Sequence, residues 1–291
     1  MHRFLLHNDD LLDAGERIVS PGQVGLMSGW GIFSTIRVQE GVMFAWERHW
    51  ARMKRDAGRM RVPFPEDAKR LEEALYGLIE KNHAANSTLR VVIVRNRGGM
   101  WEGPAAAERG FDTIAFTAPL NDWGEAVKLG MIADGRHAAS EFAGTKYNSW
   151  SENLTRYERA HEQGFDEVVL LNERGEIAEC TSANIFVASG DRVWTPPLTC
   201  GCLPGVTRAL LLEEIRVPGI EVAEKVLFPG DLESADEVFI TSTTRDLMPV
   251  AAVEGLRIRQ GRRVRDGLQR AFSAYTAAYV ALHVREGEKV R

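Results

Sequence analysis

Gly144-Thr145-Lys146-Tyr147-Asn148-Ser149-Trp150 sets one lysine between a β-type run and an amphipathic helix. Upstream, Val127-Lys128-Leu129-Gly130-Met131-Ile132-Ala133 has the residues of a strand; downstream, the spacing predicts a helix from Asn148 to Gln163, stopped by Gly164. A lysine at such a junction has its stem fixed by backbone while its amine is left for chemistry. An exposed lysine has a pKa of about 10.4, so a nucleophilic role needs burial or a neighbouring cation to draw its proton off. Condensation with a carbonyl is the use for such an amine, and plain solvation is the alternative. The remainder of the chain decides between them.

With 291 residues, 44% hydrophobic and 26% charged, the chain has a globular composition and room for two medium domains or one large one. A formal charge of -5, with no Lys/Arg block free of acids, argues against a nucleic-acid binder. The basic cluster from Arg257 to Arg265 alternates with apolar residues and reads as a solvated edge. No run approaches the roughly eighteen apolar residues of a membrane span, and Met1 to Asn8 is too short an apolar run for a secretion signal. A cytoplasmic protein is expected. Cys180, Cys200 and Cys202 are too few for a disulfide framework and lack a second cluster for zinc, so reduced thiols are expected.

The first fifty residues read as a β-meander, with Phe33 to Val38, a turn at Gln39-Glu40-Gly41, and a return over Val42 to Trp46. The glycine-rich Met27-Ser28-Gly29-Trp30-Gly31 bends the chain ahead of it. Helices follow over Glu47 to Met60, where His49 and Arg52 share a face, and over Pro65 to Asn82. Strands over Thr88 to Arg95 and Phe111 to Ala118 flank a glycine-rich loop, Asn96 to Pro104. The turn-rich segment 119–124 is the expected linker between a small domain, 1–118, and a larger one, 125–291. Beyond the lysine, strands are expected at Glu167 to Leu171, Glu176 to Cys180, Asn184 to Val187, Arg192 to Thr195, Ile220 to Val226 and Asp236 to Thr241. Helices are expected from Pro204 to Ile215 and from Val264 to His283. Without a steady βαβ beat, the fold class is α+β rather than a Rossmann sheet.

Two places suit a phosphate. At Gly205-Val206-Thr207 a helix opens, so its first N–H groups lack intrahelical partners and its dipole favours an anion. Thr241-Ser242-Thr243-Thr244, at a strand end, adds hydroxyl and backbone donors. Glu179 stands beside the small residues Cys180-Thr181-Ser182-Ala183, where a flat ring can approach the backbone; a carboxylate there can keep a pyridine nitrogen protonated. Each feature has a structural alternative: an N-cap, a polar turn, an edge-strand acid. Together, a carbonyl-binding lysine, a ring-nitrogen carboxylate and two phosphate anchors are what pyridoxal 5′-phosphate requires, and no nicotinamide fingerprint, P-loop or metal cluster competes.

The order Lys146, Glu179-Cys180-Thr181-Ser182-Ala183-Asn184-Ile185-Phe186, Thr195-Pro196-Pro197-Leu198, Leu203-Pro204-Gly205-Val206-Thr207-Arg208, Glu237-Val238-Phe239-Ile240-Thr241-Ser242-Thr243 and Pro249-Val250 resembles the class IV aminotransferases. These fold type IV pyridoxal phosphate enzymes include branched-chain amino-acid aminotransferase, D-amino-acid aminotransferase and aminodeoxychorismate lyase. The resemblance implies a two-domain fold of the D-amino-acid aminotransferase type, with the cofactor between a small N-terminal and a larger C-terminal domain. It also implies a homodimer in which the partner lends a loop to the site. Lys146 becomes the lysine that forms the internal aldimine, and Glu179 the partner of the pyridine nitrogen, with Ser182 and Ala183 lining the cofactor. Val206, Thr207 and Thr243 take the phosphate together with Arg52, from His49-Trp50-Ala51-Arg52, which resembles the family's H-x-x-R.

For substrate, Arg97 on the glycine-rich loop is the first expectation for the carboxylate, with Arg37 and Arg136 behind it; Phe33 and Thr244 are expected to face substrate. Trp30, Trp101 and Trp123 are further candidates for an apolar wall. The segment Val24 to Gly31 lacks the family's usual arginine. Ser149 to Ser151 replace the tyrosine or asparagine that often follows the lysine, which leaves the partner of the cofactor's phenolic oxygen open. Tyr147 should point away from Lys146 if the segment is extended. The expected activity is transamination between an α-amino acid with an apolar, branched-chain-like side chain and a 2-keto acid. The alternatives are an aminodeoxychorismate lyase-type elimination of pyruvate, a D-amino-acid or (R)-amine transaminase, and a cofactor-free scaffold.

Overall fold

The computed structural model describes residues 1–20, 22–100 and 108–284, which fall into two compact units. The loop residues 101–104 of the sequence analysis, Trp101 among them, lie outside the described residues. The first unit takes in Met1–Asn121, the short segment Thr145–Trp150 and the end of the last helix from Ala278. The second holds Asp122–Gly144 and Ser151–Ala277. The lysine segment is therefore an insertion of the chain into the first unit.

In the first unit, β1 (Phe4–His7), β2 (Asp10–Asp13), α1 (Val24–Ser28), β3 (Gly31–Gln39), β4 (Val42–Met43), α2 (Trp46–Met60), α3 (Ala68–Lys81), β5 (Ser87–Arg95) and β6 (Phe111–Ala118) follow one another. The strands form one antiparallel sheet in the order β2-β1-β6-β5-β3-β4. Glu40 and Gly41, both at positive φ, make the tight turn expected between β3 and β4. The return strand is shorter than expected because Ala45 turns left-handed at φ 53° and starts α2 at Trp46. Asp67 caps α3 by accepting from Lys69 N and Arg70 N at 3.0 and 3.1 Å. Alternation sends Ile32, Ile36, Val38, Leu89, Val91 and Ile93 into a core with Met53, Ala57, Leu75 and Leu78 of the helices. Phe33, Thr35, Arg37, Arg90 and Val92 take the opposite parity and the other face.

In the second unit, β7 (Val127–Ile132), α4 (Ser151–Glu162), β8 (Glu167–Leu171), β9 (Ile177–Cys180), β10 (Asn184–Ser189), β11 (Arg192–Thr195), α5 (Val206–Glu213), β12 (Glu221–Glu224), α6 (Pro229–Ser234), β13 (Glu237–Ser242), β14 (Asp246–Val253) and α7 (Arg263–His283) surround one sheet. Its order is β12-β11-β10-β13-β14-β7-β8-β9. β7 runs parallel to both β8 and β14 while β10, β13 and β14 pair antiparallel. This mixed sheet is the α+β arrangement expected. The core centres on Leu129, Val169, Ile177, Ile185, Val187 and Ile240. All three cysteines are buried free thiols. Among the described residues no helix is long and apolar enough to cross a membrane.

The helix after the lysine starts at Ser151 rather than Asn148. Asn148 and Ser149 are committed to the first unit instead: Asn148 N donates to Gly31 O at 2.9 Å, and Ser149 Oγ to Ser28 O at 3.2 Å.

Candidate active site

Lys146 is held at both of its backbone polar groups. Its N–H donates to Asp56 Oδ2 on α2 at 3.1 Å, and its carbonyl accepts from Phe33 N on β3 at 3.1 Å. Tyr147 pairs with Ile32, so the segment runs antiparallel along the edge of β3 that β4 leaves open. The approach needs Gly31: a Cβ there would meet Asn148 Nδ2 and stand 2.5 Å from Ile93 O. The glycine run thus admits the lysine segment, which is more than the bend read from sequence. Parity then puts Lys146 and Trp150 on the side of Phe33 and sends Tyr147 to the other, as its extended segment required. Lys146 Nζ lies 4.4 Å from the centre of the Phe33 ring and 5.8 Å from that of Trp150, and the two rings meet edge to face at 5.9 Å.

Two groups the sequence analysis passed over complete this region. Arg90 on β5, opposite Thr35, lays its guanidinium 4.0 Å over the Phe33 ring, and burial draws its pKa down. Alternation within Ser87–Arg95 gave the signal, since Arg90 breaks the apolar face only if it is turned away from the core. Ser34, fully buried among Ile32 and Ile36, accepts from Arg52 Nη2 at 2.9 Å and lies 2.8 Å from His49 Nδ1. A lone serine on the core parity of a strand was the legible hint. Burial pushes the Arg52 guanidinium down to about 10, against the pull of Asp56. Burial, then the nearby Arg52 and Lys146 cations, hold His49 well below an ordinary imidazole, so the ring is neutral at physiological pH.

In the second unit the motif residues come together around one loop. Glu179, 7% exposed at the end of β9, accepts from Arg136 Nε at 3.0 Å through Oε1 and from Leu203 N at 3.0 Å through Oε2. Asn184 donates to Leu203 O at 2.9 Å, and its side chain fills the place where a Cβ on Gly205 would stand. Glu179 and Asn184 therefore clamp Leu203 to Gly205, the lead-in to α5. Arg208 of the same motif is structural, donating to Pro196 O at 2.8 Å and pairing with Glu224. Arg136, expected as a substrate arginine, is instead the ion-pair partner of Glu179. Thr243 and Thr244 ride the turn between β13 and β14, and Ser182 and Ala183 the turn between β9 and β10.

Arg37 shares the Phe33 face of β3, with its Nε buried and unpartnered among the described residues. Arg97 is exposed, and its carbonyl accepts from Arg95 Nε at 2.7 Å. Trp30 donates to Met60 O at 2.7 Å under the Arg95 guanidinium, and Trp123 packs against Arg245.

A phosphate dianion calls for unspent N–H and O–H donors, and each unit has them. In the first, Arg52 Nε, His49 Nε2 and Thr145 Oγ1 are buried with no hydrogen-bond partner among the described residues. In the second, α5 opens at Gly205 with no side-chain cap, and Thr241 Oγ1 is likewise buried and unpartnered among the described residues. Buried donors left without partners cost free energy unless a ligand meets them. The donor sets fit a phosphorylated cofactor.

Comparison with known proteins agrees with this chemistry. Residues 31–253 match the family model described as amino-transferase class IV. The branched-chain-amino-acid aminotransferase of Escherichia coli K12 is 30% identical over 249 residues, covering 80% of this chain and 79% of that protein. A solved structure of the E. coli branched-chain enzyme superimposes with a TM-score of 0.85 at 25% identity, covering 95% of each chain. The D-alanine aminotransferase of Bacillus licheniformis is 27% identical over 290 residues, 95% of this chain and 99% of its own. The aminodeoxychorismate lyase of Vibrio harveyi is 28% identical over 236 residues, 80% of this chain and 86% of its own.

Proposed function

We propose, from the premise that the chain belongs to the class IV aminotransferase family, that it moves an amino group between an apolar α-amino acid and a 2-keto acid, with Lys146 as the reacting amine. Enzymes of this family depend on pyridoxal 5′-phosphate, which supplies an electron sink next to the substrate Cα. The observation that carries the reading is Lys146 itself, anchored at both backbone groups with Nζ over the Phe33 ring.

In this reading Lys146 would hold the cofactor through its carbonyl carbon, and the same amine, once the incoming substrate amine has displaced it, would be the base that moves a proton at the substrate Cα. Arg52, the Val206 and Thr207 amides and Thr243 hold the phosphate; a guanidinium there offers two parallel donors, which a lysine would not reproduce. Glu179, ion-paired with Arg136, would meet the ring nitrogen. Ser182 and Ala183 would line the ring. Phe33 and Trp150 exclude water from the amine and take an apolar side chain. Arg90, with Phe33 beneath it, receives the carboxylate, with Thr244 and Arg97 as further substrate contacts. We place the enzyme in the cytoplasm as a homodimer, the assembly that the family resemblance implies.

A half-reaction screen tests this. The cofactor-loaded protein is mixed with single amino acids of either hand and with amines, and its visible absorbance is followed. Apolar α-amino acids should bleach the band and a 2-keto acid restore it; the hand that bleaches faster fixes stereochemistry. Arg90→Leu should raise KM more than Arg97→Leu does. The V. harveyi relative motivates a second reading, elimination of pyruvate. Pyruvate formed with no keto-acid acceptor would replace the first reading by the second.

A further inference from the structure

We propose that the buried Glu167–Arg245 ion pair is a positioning element that ties the Thr243-Thr244 turn to the Ser182-Ala183 turn and so sets the affinity for the cofactor's phosphate. This rests on the reading above, in which both turns hold the cofactor.

Arg245 closes its own turn through its backbone, donating from N to Ser242 O at 3.3 Å and to Ser242 Oγ at 3.2 Å. Its side chain, 3% exposed, reaches across to the other turn. Nη1 donates to Ser182 Oγ at 2.7 Å and stands 3.3 Å from Glu167 Oε2. Glu167, fully buried at the head of β8, also accepts from the Thr181 and Ser182 hydroxyls and from Val168 N at 3.0 Å. A serine hydroxyl has one proton; that of Ser182 goes to Glu167, so Arg245 takes a lone pair and the three groups lock in one arrangement. The Trp123 ring, 3.9 Å from Cζ, flanks the guanidinium.

The network continues toward Glu179. Thr181 O accepts from Asn153 Nδ2 at 3.2 Å, Asn153 Oδ1 from Arg136 Nη1 at 3.0 Å, and Glu179 from Arg136 Nε at 3.0 Å. One polar chain thus joins the turn assigned to the phosphate with the carboxylate assigned to the ring nitrogen. Burying two charges to fill space is no better than burying apolar groups of the same volume. What the pair adds is a fixed geometry between the turns, and a lysine at 245 would supply the charge without the fork.

The test titrates the cofactor-free full chain with pyridoxal 5′-phosphate and with pyridoxal, which lacks the phosphate, in the wild type, Arg245→Gln and Arg245→Lys. A Glu167→Leu/Arg245→Met double variant, free of buried charge, serves if Arg245→Gln does not fold. The ratio of Kd for pyridoxal to Kd for pyridoxal 5′-phosphate should fall at least tenfold in Arg245→Gln and in the double variant, with partial recovery in Arg245→Lys. A purely structural role would weaken both ligands alike and leave the ratio unchanged, and that result overturns the proposal. Failure of the wild-type chain to bind pyridoxal 5′-phosphate, or of borohydride to fix it on Lys146, would instead remove the functional reading beneath it.

Discussion

Gly31→Ala is the substitution that most directly probes how the lysine is held. The new Cβ would stand 2.5 Å from Ile93 O and 3.2 Å from Val94 Cα, both backbone atoms of β5, and would strike the Asn148 amide. The amide can rotate, but the β5 backbone cannot without breaking its ladder to β3. Overpacking of this kind costs about 1–3 kcal/mol. If the lysine segment retreats, the hydrogen bonds from Phe33 N to Lys146 O and from Asn148 N to Gly31 O are lost as well, at about 1 kcal/mol each. The sum is roughly 3–5 kcal/mol, or a fall in Tm of roughly 10 °C. Lys146 loses its register against Phe33 at the same time. Gly58→Ala on α2 is the control: nothing lies within 4 Å of its Cβ position, and alanine there should be neutral or stabilise by about 0.5–1 kcal/mol. The assay is thermal melting together with borohydride trapping of the cofactor on Lys146, read by peptide mass. Wild-type melting and wild-type trapping in Gly31→Ala would refute the close approach.

Three other outcomes are expected. Because burial holds His49 well below 6.5, the unfolded chain binds a proton below pH 6.5 that the folded chain refuses; stability contributed by this site falls as pH drops, by about 1.4 kcal/mol one unit below that value, and is constant above it. Urea melts of wild type and His49→Gln across pH 5–8 should differ in slope on the acid side only, and parallel curves would count against a neutral buried ring. Arg52→Lys should weaken pyridoxal 5′-phosphate binding by about 10–100-fold, since charge-assisted bonds are worth about 1.5–3 kcal/mol; equilibrium titration reads it, and unchanged affinity would remove Arg52 from the phosphate. Glu179→Gln should keep the cofactor bound while lowering turnover by about a hundredfold; an intact turnover number would refute its role at the ring nitrogen.

The family was legible in sequence, and the places of Lys146 and Glu179 in the chain could be read from short local patterns. Lys146 stands between two periodicities, Glu179 in a short strand ahead of small residues, and Val206-Thr207 behind the Pro-Gly that opens α5. The hairpin at Glu40-Gly41 was legible for the same reason, since positive φ at two successive residues has a composition. The start of α4 was not: Asn148 and Ser149 suit a helix by propensity, yet partners more than a hundred residues earlier take their hydrogen bonds. Nor were the partners of charge. That Arg136 answers Glu179, that Arg245 answers Glu167, and that Arg90 lies beside the lysine over Phe33 depend on strands that meet only after folding. Sequence by itself determined which chemistry-bearing residues the chain carries and which local element bears each one, because propensity, capping and alternation act over a few residues. Only the tertiary structure decided which of them meet, because a hydrogen bond or an ion pair is set by a separation of about 3 Å in space, and distance along the chain holds no record of that.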